Sequence, residues 1–247
     1  MARKRITQLF PWLLPLRKRQ RRLFFYAAMR WDGRRYAACQ QGQPLSHFLC
    51  EEHSALYNPG TGFDMVYQRN QVFNLGLAVA TLQGLPIPPG ETFSFWRMVG
   101  RCTARKGYRP GMTIRNGATG QGVGGGMCQF TNLIHWMALH STLTVVEPHH
   151  HDQMDLFHDF CRQVPFGVGT SIAYHYLDYR LRTDTDQLFP PRVWAAGEYL
   201  CGALRAQRLL EHHYHIRAED ESFVRCGDQL YRRTTLLRRT VERHTGR

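Results

Sequence analysis

The chain has 247 residues, with 32 Lys and Arg against 19 Asp and Glu, for a formal net charge of +13. Hydrophobic residues make up 43%, which excludes a largely disordered chain and supplies a core for one large domain or two small ones. The basic balance points to an anionic neighbour: nucleic acid, an acidic membrane surface or an anionic polymer.

In chain order, residues 1–35 read as a basic, aromatic-rich amphipathic arm. Arg3, Lys4, Arg5, Arg17, Lys18, Arg19, Arg21, Arg22, Arg30, Arg34 and Arg35 are interleaved with Phe10, Trp12, Phe24, Phe25 and Tyr26. Two readings stand: a segment lying on an anionic membrane surface, or the solvated basic face of a packed helix. Nucleic acid is not expected as a partner, because no DNA- or RNA-binding motif accompanies the charge. The apolar runs at residues 9–16, broken by Pro11 and Pro15, and 23–29 fall short of the ~20 residues of a membrane span. The short run ahead of Arg17-Lys18-Arg19 does not read as a signal peptide either. The expected location is the cytoplasm or the inner face of the membrane.

Residues 36–89 form a helical lead-in. Val72, Leu75, Val79 and Leu82 predict a helix over 67–83, ended by Gly84, Pro86, Pro88, Pro89 and Gly90. A short β segment is expected at 92–95 and a glycine-rich loop at 117–126. Phe130, Leu133, Ile134, Met137, Ala138 and Ser141 then mark one face of a helix. Leu143–Glu147 reads as a strand, 171–181 as a strand-like run and 183–186 as a polar turn. Residues 187–247 read as short strands, at 198–204 and 223–230, with a basic C-terminal tail. The expected fold is mixed α+β, with residues 90–186 as its core. In it a glycine loop leads into a helix that carries Cys128 at its start and packs on a small antiparallel sheet.

The chemistry concentrates at Gly124-Gly125-Gly126-Met127-Cys128-Gln129. A cysteine at a helix start sits at the positive end of the helix dipole, which favours the thiolate. The amides of the glycine loop and of Gln129 are candidates for an oxyanion hole. The bland alternative is a small buried cysteine capping a packed helix. A nucleophile needs a base, and His149, His150 and His151 follow the strand that ends at Glu147. His135 lies two turns along the cysteine's own helix, and with His140 it reads as a packing or surface residue. The cluster of His149, His150, His151, Asp152, Asp155 and His158 also contains zinc-ligand types, but it matches no standard motif and HExxH is absent, so no metal site is expected. No cofactor is expected: the loop lacks the Lys-Ser/Thr of a P-loop, and no clear strand precedes it as dinucleotide binding requires. The seven cysteines are scattered and odd in number without a CxxC pair, the pattern of a reducing compartment.

Gly90–Phe95, Gly107-Tyr108, Asn116-Gly117 and Gly124–Gln129 occur in the order of a motif series, and in them the chain resembles the VanW family. That family carries GE-x-FSF, GY, NG and GGG-x-CQ segments, the last leading into a helix. Glu147-Pro148-His149-His150-His151 stands where the family has a Glu-Arg-His-x-His-like segment. At Gly167-Val168-Gly169-Thr170 this chain lacks the acid that family members commonly carry before the late strand. The resemblance implies a role in bacterial cell-wall metabolism or glycopeptide resistance. It further implies a cysteine acyl-transfer enzyme, L,D-transpeptidase-like, acting on peptidoglycan stem peptides or their precursors. Cys128 would be the nucleophile, with His149 and His151 as the catalytic histidines. Gly124, Gly125, Gly126, Gln129 and Asn116 would bind the substrate. The alternative is a non-catalytic protein that binds a peptidoglycan precursor at the membrane face.

Overall fold

The computed structural model describes residues 10–38, 45–82, 86–115, 118–150 and 167–245. A 3-10 turn over Pro11–Leu13 leads into helix α1 (Leu14–Trp31), where Pro15 sits in the first turn and breaks no hydrogen bond. Then come β1 (Arg35–Tyr36), β2 (His47–Ala55), α2 (Met65–Leu82), β3 (Glu91–Ser94) and the short α3 (Phe95–Val99). They are followed by β4 (Pro110–Arg115), β5 (Ala118–Val123), α4 (Met127–Leu139) and β6 (Leu143–Glu147). The described chain closes with β7 (Arg180–Thr183), β8 (Pro191–Ala196), β9 (Tyr199–Ala206), β10 (His212–Cys226) and β11 (Gln229–Glu242).

The strands form a mixed sheet in the order β1-β3-β7-β6, an antiparallel sheet β2-β9-β8, and the two hairpins β4-β5 and β10-β11. Helix α4 lies on β2 and β9 as expected, with Leu133 and Met137 against Gly202. Its surroundings are richer than a one-faced helix would give: 11 of its 13 side chains are buried. An all-round buried helix is an inner element, so its polar residues must find partners inside the protein. Its apolar part joins Leu75, Phe93, Phe95, Leu181 and Leu200 in one core, where each large side chain contributes about 1.5–3 kcal/mol.

Three segments differ from their sequence expectations. Most of the glycine-rich stretch at 117–126 is strand: β5 pairs with β4 from Arg115↔Ala118 to Pro110↔Val123, and only Gly124–Gly126 turn. Glycine has no side chain to mark an alternation, so this strand is invisible to periodicity. The run at 171–181 folds back on itself with a bridge Ala173↔Leu177, His175 adopts φ 64°, and strand begins only at Arg180. The C-terminal segment is not short strands and a tail but a ribbon of 15- and 14-residue strands around Gly227. Its many His and Arg residues conceal the alternation.

Candidate active site at the start of the central helix

Cys128 is the second residue of α4, half-buried, directly after a turn in which every glycine is needed for space. A Cβ on Gly124 would lie 2.3 Å from Cys102 Cβ, one on Gly125 2.4 Å from the Gly111 carbonyl carbon, and one on Gly126 2.1 Å from Gln71 Cγ. Gly124 and Gly126 also have positive φ, 78° and 99°. Three amide side chains of α2 hold the turn. Asn74 donates to the carbonyls of Arg109 (2.9 Å) and Gly125 (3.1 Å) and accepts from the Arg109 N–H (2.8 Å). Gln71 donates to Gln129 Oε1 at 2.8 Å, and Gln129 in turn donates to the Ala55 carbonyl at 2.7 Å. Gln68 fastens the preceding loop through Asn58 and Phe63. Gln129 is 1% exposed, so its side chain fixes the helix start to β2. The N–H groups of Gly124, Gly125 and Gln129 already donate to the carbonyls of Arg109, Gly122 and Gly126. The glycines therefore position the cysteine; their packing and these bonds are directed into the protein.

Cys128, Thr131, Asn132 and His135 recur at helical spacing and form the polar stripe of α4. Thr131 donates to the Cys128 carbonyl (3.1 Å), and its hydroxyl lies 2.6 Å from that of Thr170. Asn132 Oδ1 accepts both the N–H (2.6 Å) and the hydroxyl (2.8 Å) of Thr170. The stripe is thus stitched to residues 169–170, and there the structure places His150. Its Nδ1 is 2.6 Å from the Gly169 carbonyl, and its ring stands 6.5 Å from that of His135, edge to face. A carbonyl only accepts, so Nδ1 carries the proton and Nε2 keeps its lone pair.

His149 points the other way. Its Nε2 is 3.0 Å from Glu147 Oε1, and Glu147 also pairs with Arg180 at 3.1 Å. Adjacent residues of an extended chain face opposite sides, so the consecutive histidines divide between two environments. His150, not named with His149 and His151 as a catalytic histidine from the sequence, is the one turned to the stripe that begins at Cys128. His151 and Asn116 lie outside the described residues, as do Asp152, Asp155 and His158. Among the described residues, no group of three or more His, Cys, Asp or Glu is placed to hold a metal ion.

A profile described as "VanW like protein" matches residues 70–205, from within α2 to the end of β9. The chain belongs to the VanW family. It is 40% identical over 246 residues to the Vancomycin B-type resistance protein VanW of Enterococcus faecalis (strain ATCC 700802 / V583), covering 100% of this chain and 89% of that protein. It is also 27% identical over 119 residues to the Uncharacterized protein YoaR of Bacillus subtilis (strain 168), covering 48% of this chain and 37% of that one. No solved structure matches the chain. The VanW match contains the glycine turn, Cys128, His149, His150 and the buried acid Asp178, while α1 and the β10-β11 ribbon fall outside it.

Asp178 is the site residue that sequence reading of this VanW chain missed. It is 1% exposed and accepts four bonds: Ser94 Oγ (2.6 Å), the N–H groups of Trp96 (3.0 Å) and Tyr179 (2.9 Å), and Arg180 Nε (3.0 Å). Burial pushes its carboxyl up, while these donors and the Arg180 charge pull it down. The Asp178 N–H donates to Glu147 (3.2 Å), so the acid joins β3 and β7 to the strand end that carries His149 and His150. An acid next to the expected start of a late strand was the only signal for it.

The other cysteines in the described interior are chemically quiet. Burial pushes Cys50 up to about 12 and Cys102 up to about 11. Cys201 is also raised, by burial and then by Glu51. These three remain thiols at neutral pH. Burial, and then the His150 charge, lowers His135 from an ordinary 6.5 to about 4, so it is neutral beside Tyr179 Oη at 3.0 Å. The unfolded chain therefore takes up a proton at this residue before the folded one does. Stability present above pH 6.5 falls as pH drops toward 4, by roughly 3 kcal/mol from this residue. His175, lowered to about 4 by burial and then by Arg22 and Arg101, acts in the same direction. Urea midpoints measured from pH 7 to 4 should fall steeply for the wild type and less steeply for His135→Gln. Parallel curves would place the loss elsewhere.

Proposed function

We propose that this VanW protein performs cysteine acyl transfer on peptidoglycan stem peptides or their precursors, with Cys128 as nucleophile and His150 as its base. The observation that carries the reading is the His150 tautomer: the Gly169 carbonyl holds the Nδ1 proton, so Nε2 is an acceptor on the stripe that starts at Cys128. That carbonyl supplies the orientation for which triads commonly use an acid. In the first step the Cys128 thiol gives its proton to His150 Nε2 as sulfur attacks a stem-peptide carbonyl carbon. The C–N bond breaks, the departing amine takes the proton from His150, and a thioester remains. In the second step an acceptor amine, or water, loses a proton to His150 and attacks the thioester. A new amide or an acid forms, and the thiol regains its proton. The similarity to a protein named for vancomycin resistance supports a cell-wall substrate and a role in glycopeptide resistance.

A thiol-directed stem-peptide probe tests this, with the adduct mapped by mass spectrometry because Cys226 is exposed on the ribbon. Adduct on Cys128 should form in the wild type, be absent in Cys128→Ala, and form about 100-fold more slowly in His150→Gln. His149→Gln should react within a few-fold of wild type. Equal rates for His150→Gln and wild type would remove the base.

One observation favours a second reading. The amides of Gly124, Gly125 and Gln129 are already engaged, as suits a protein that binds the precursor without cleaving it. Retained glycopeptide resistance in cells carrying Cys128→Ala would decide for that binding role.

A further inference from the structure

Helix α1 has two faces of different chemistry. Its inner face is anchored: Met29 is buried, Phe25 and Tyr26 pack on His175 with ring centroids 5.5 and 6.0 Å away, and Arg21 lies 4.4 Å over the Tyr176 ring. Its outer face is apolar and open. Trp12 is 73% exposed, Leu16 64%, Leu23 65%, Phe24 64% and Trp31 82%. Leu16, Leu23 and Trp31 follow one another at seven and eight residues, which returns them to nearly the same line of a helix. Arg17 and Arg19 flank that line. The helix carries six Lys and Arg and no acid; the first acid after it is Asp32. Among the described residues no helix is long and apolar enough to cross a membrane, and α1, with its six charges, fits a position along a surface.

We infer that the outer face of α1 docks on an anionic lipid bilayer, lying in the interface with its aromatic and leucine side chains among the acyl chains and its basic side chains at the headgroups. An acidic headgroup layer complements both properties at once: it neutralises the arginines and takes up large apolar side chains that water solvates poorly. The docked helix is held to the body through His175 and Tyr176, so the body is carried at a fixed orientation to the lipid surface. This surface lies outside the VanW match and does not depend on the catalytic reading.

The test uses the full chain and vesicles of phosphatidylcholine with or without phosphatidylglycerol. Wild type should sediment with the phosphatidylglycerol vesicles and not with phosphatidylcholine alone. Arg17→Gln and Arg19→Gln should each weaken binding about fivefold. The double change Leu16→Glu with Leu23→Glu should weaken it more than tenfold, with unchanged circular dichroism and urea midpoint because both positions face solvent. Cys128→Ala should bind as wild type does. Equal binding to both vesicle types, or wild-type binding by the double variant, would overturn the inference. So would binding of duplex DNA without binding of vesicles, or a lipid-free dimer that the double variant dissolves.

Discussion

Gly125→Ala is expected to leave the protein largely unfolded. The new methyl would stand 2.4 Å from the Gly111 carbonyl carbon and 2.5 Å from the Met112 carbonyl oxygen, and both are backbone. No rotamer change relieves that, so β4 must separate from the turn, and the Asn74 bond to the Gly125 carbonyl goes with it. A loss on the order of 3 kcal/mol or more follows, a large part of the ~5–15 kcal/mol that holds a domain folded. Gly76→Ala is the matched control. That glycine lies within α2, and a methyl on it would meet nothing within 4 Å, so alanine should raise stability by about 0.5–1 kcal/mol. Urea unfolding of the pair checks both signs. A Gly125→Ala protein as stable as wild type would mean that the turn is not tightly seated.

Asp178→Ala is expected to cost about 3 kcal/mol, and it should lower the labelling of Cys128 without touching that residue. The substitution strips Ser94 Oγ, two backbone N–H groups and Arg180 of their shared acceptor inside the protein. Removing one partner of a buried charged pair is costly because the other stays behind. Arg180 keeps Glu147, which moderates the loss. Asp178→Asn preserves one oxygen for the Trp96 and Tyr179 amides and should cost less than half as much. Denaturation midpoints measure the first effect. The second is the ratio of Cys128 labelling in Asp178→Asn to that in wild type, under conditions where both are folded. If alanine and asparagine cost the same, charge rather than the bonding pattern is what the fold needs from this residue.

Much of the site was legible in the chain because its parts are local. The glycine run, the cysteine and the apolar spacing that follows announce a helix start, and α2 was equally plain from Val72, Leu75, Val79 and Leu82. What stayed hidden has three physical causes. Three consecutive histidines are indistinguishable until the direction of the extended chain is known, and that direction depends on how β6 pairs with β7. The group that orients His150 is the carbonyl of Gly169, and a backbone oxygen is written the same at every position. Gln129 looked like a ligand contact because nothing local reveals that Gln71, 58 residues earlier, will meet it. The β4-β5 hairpin could have been suspected from Asn116-Gly117, a strong turn signal between two potential strands.

The pairing of β2 with β9 has a kinetic consequence. The partners run from His47↔Ala206 to Ala55↔Tyr199, so the platform under α4 is made from chain segments about 150 residues apart. Contacts of such separation form late and slow a folding reaction. On the ribosome, the cysteine helix is synthesised well before β9, and Leu133 and Met137 have no sheet to cover them until that strand emerges. The interval leaves an apolar helix and a thiol exposed together, which makes the nascent chain a client for chaperones at that stage.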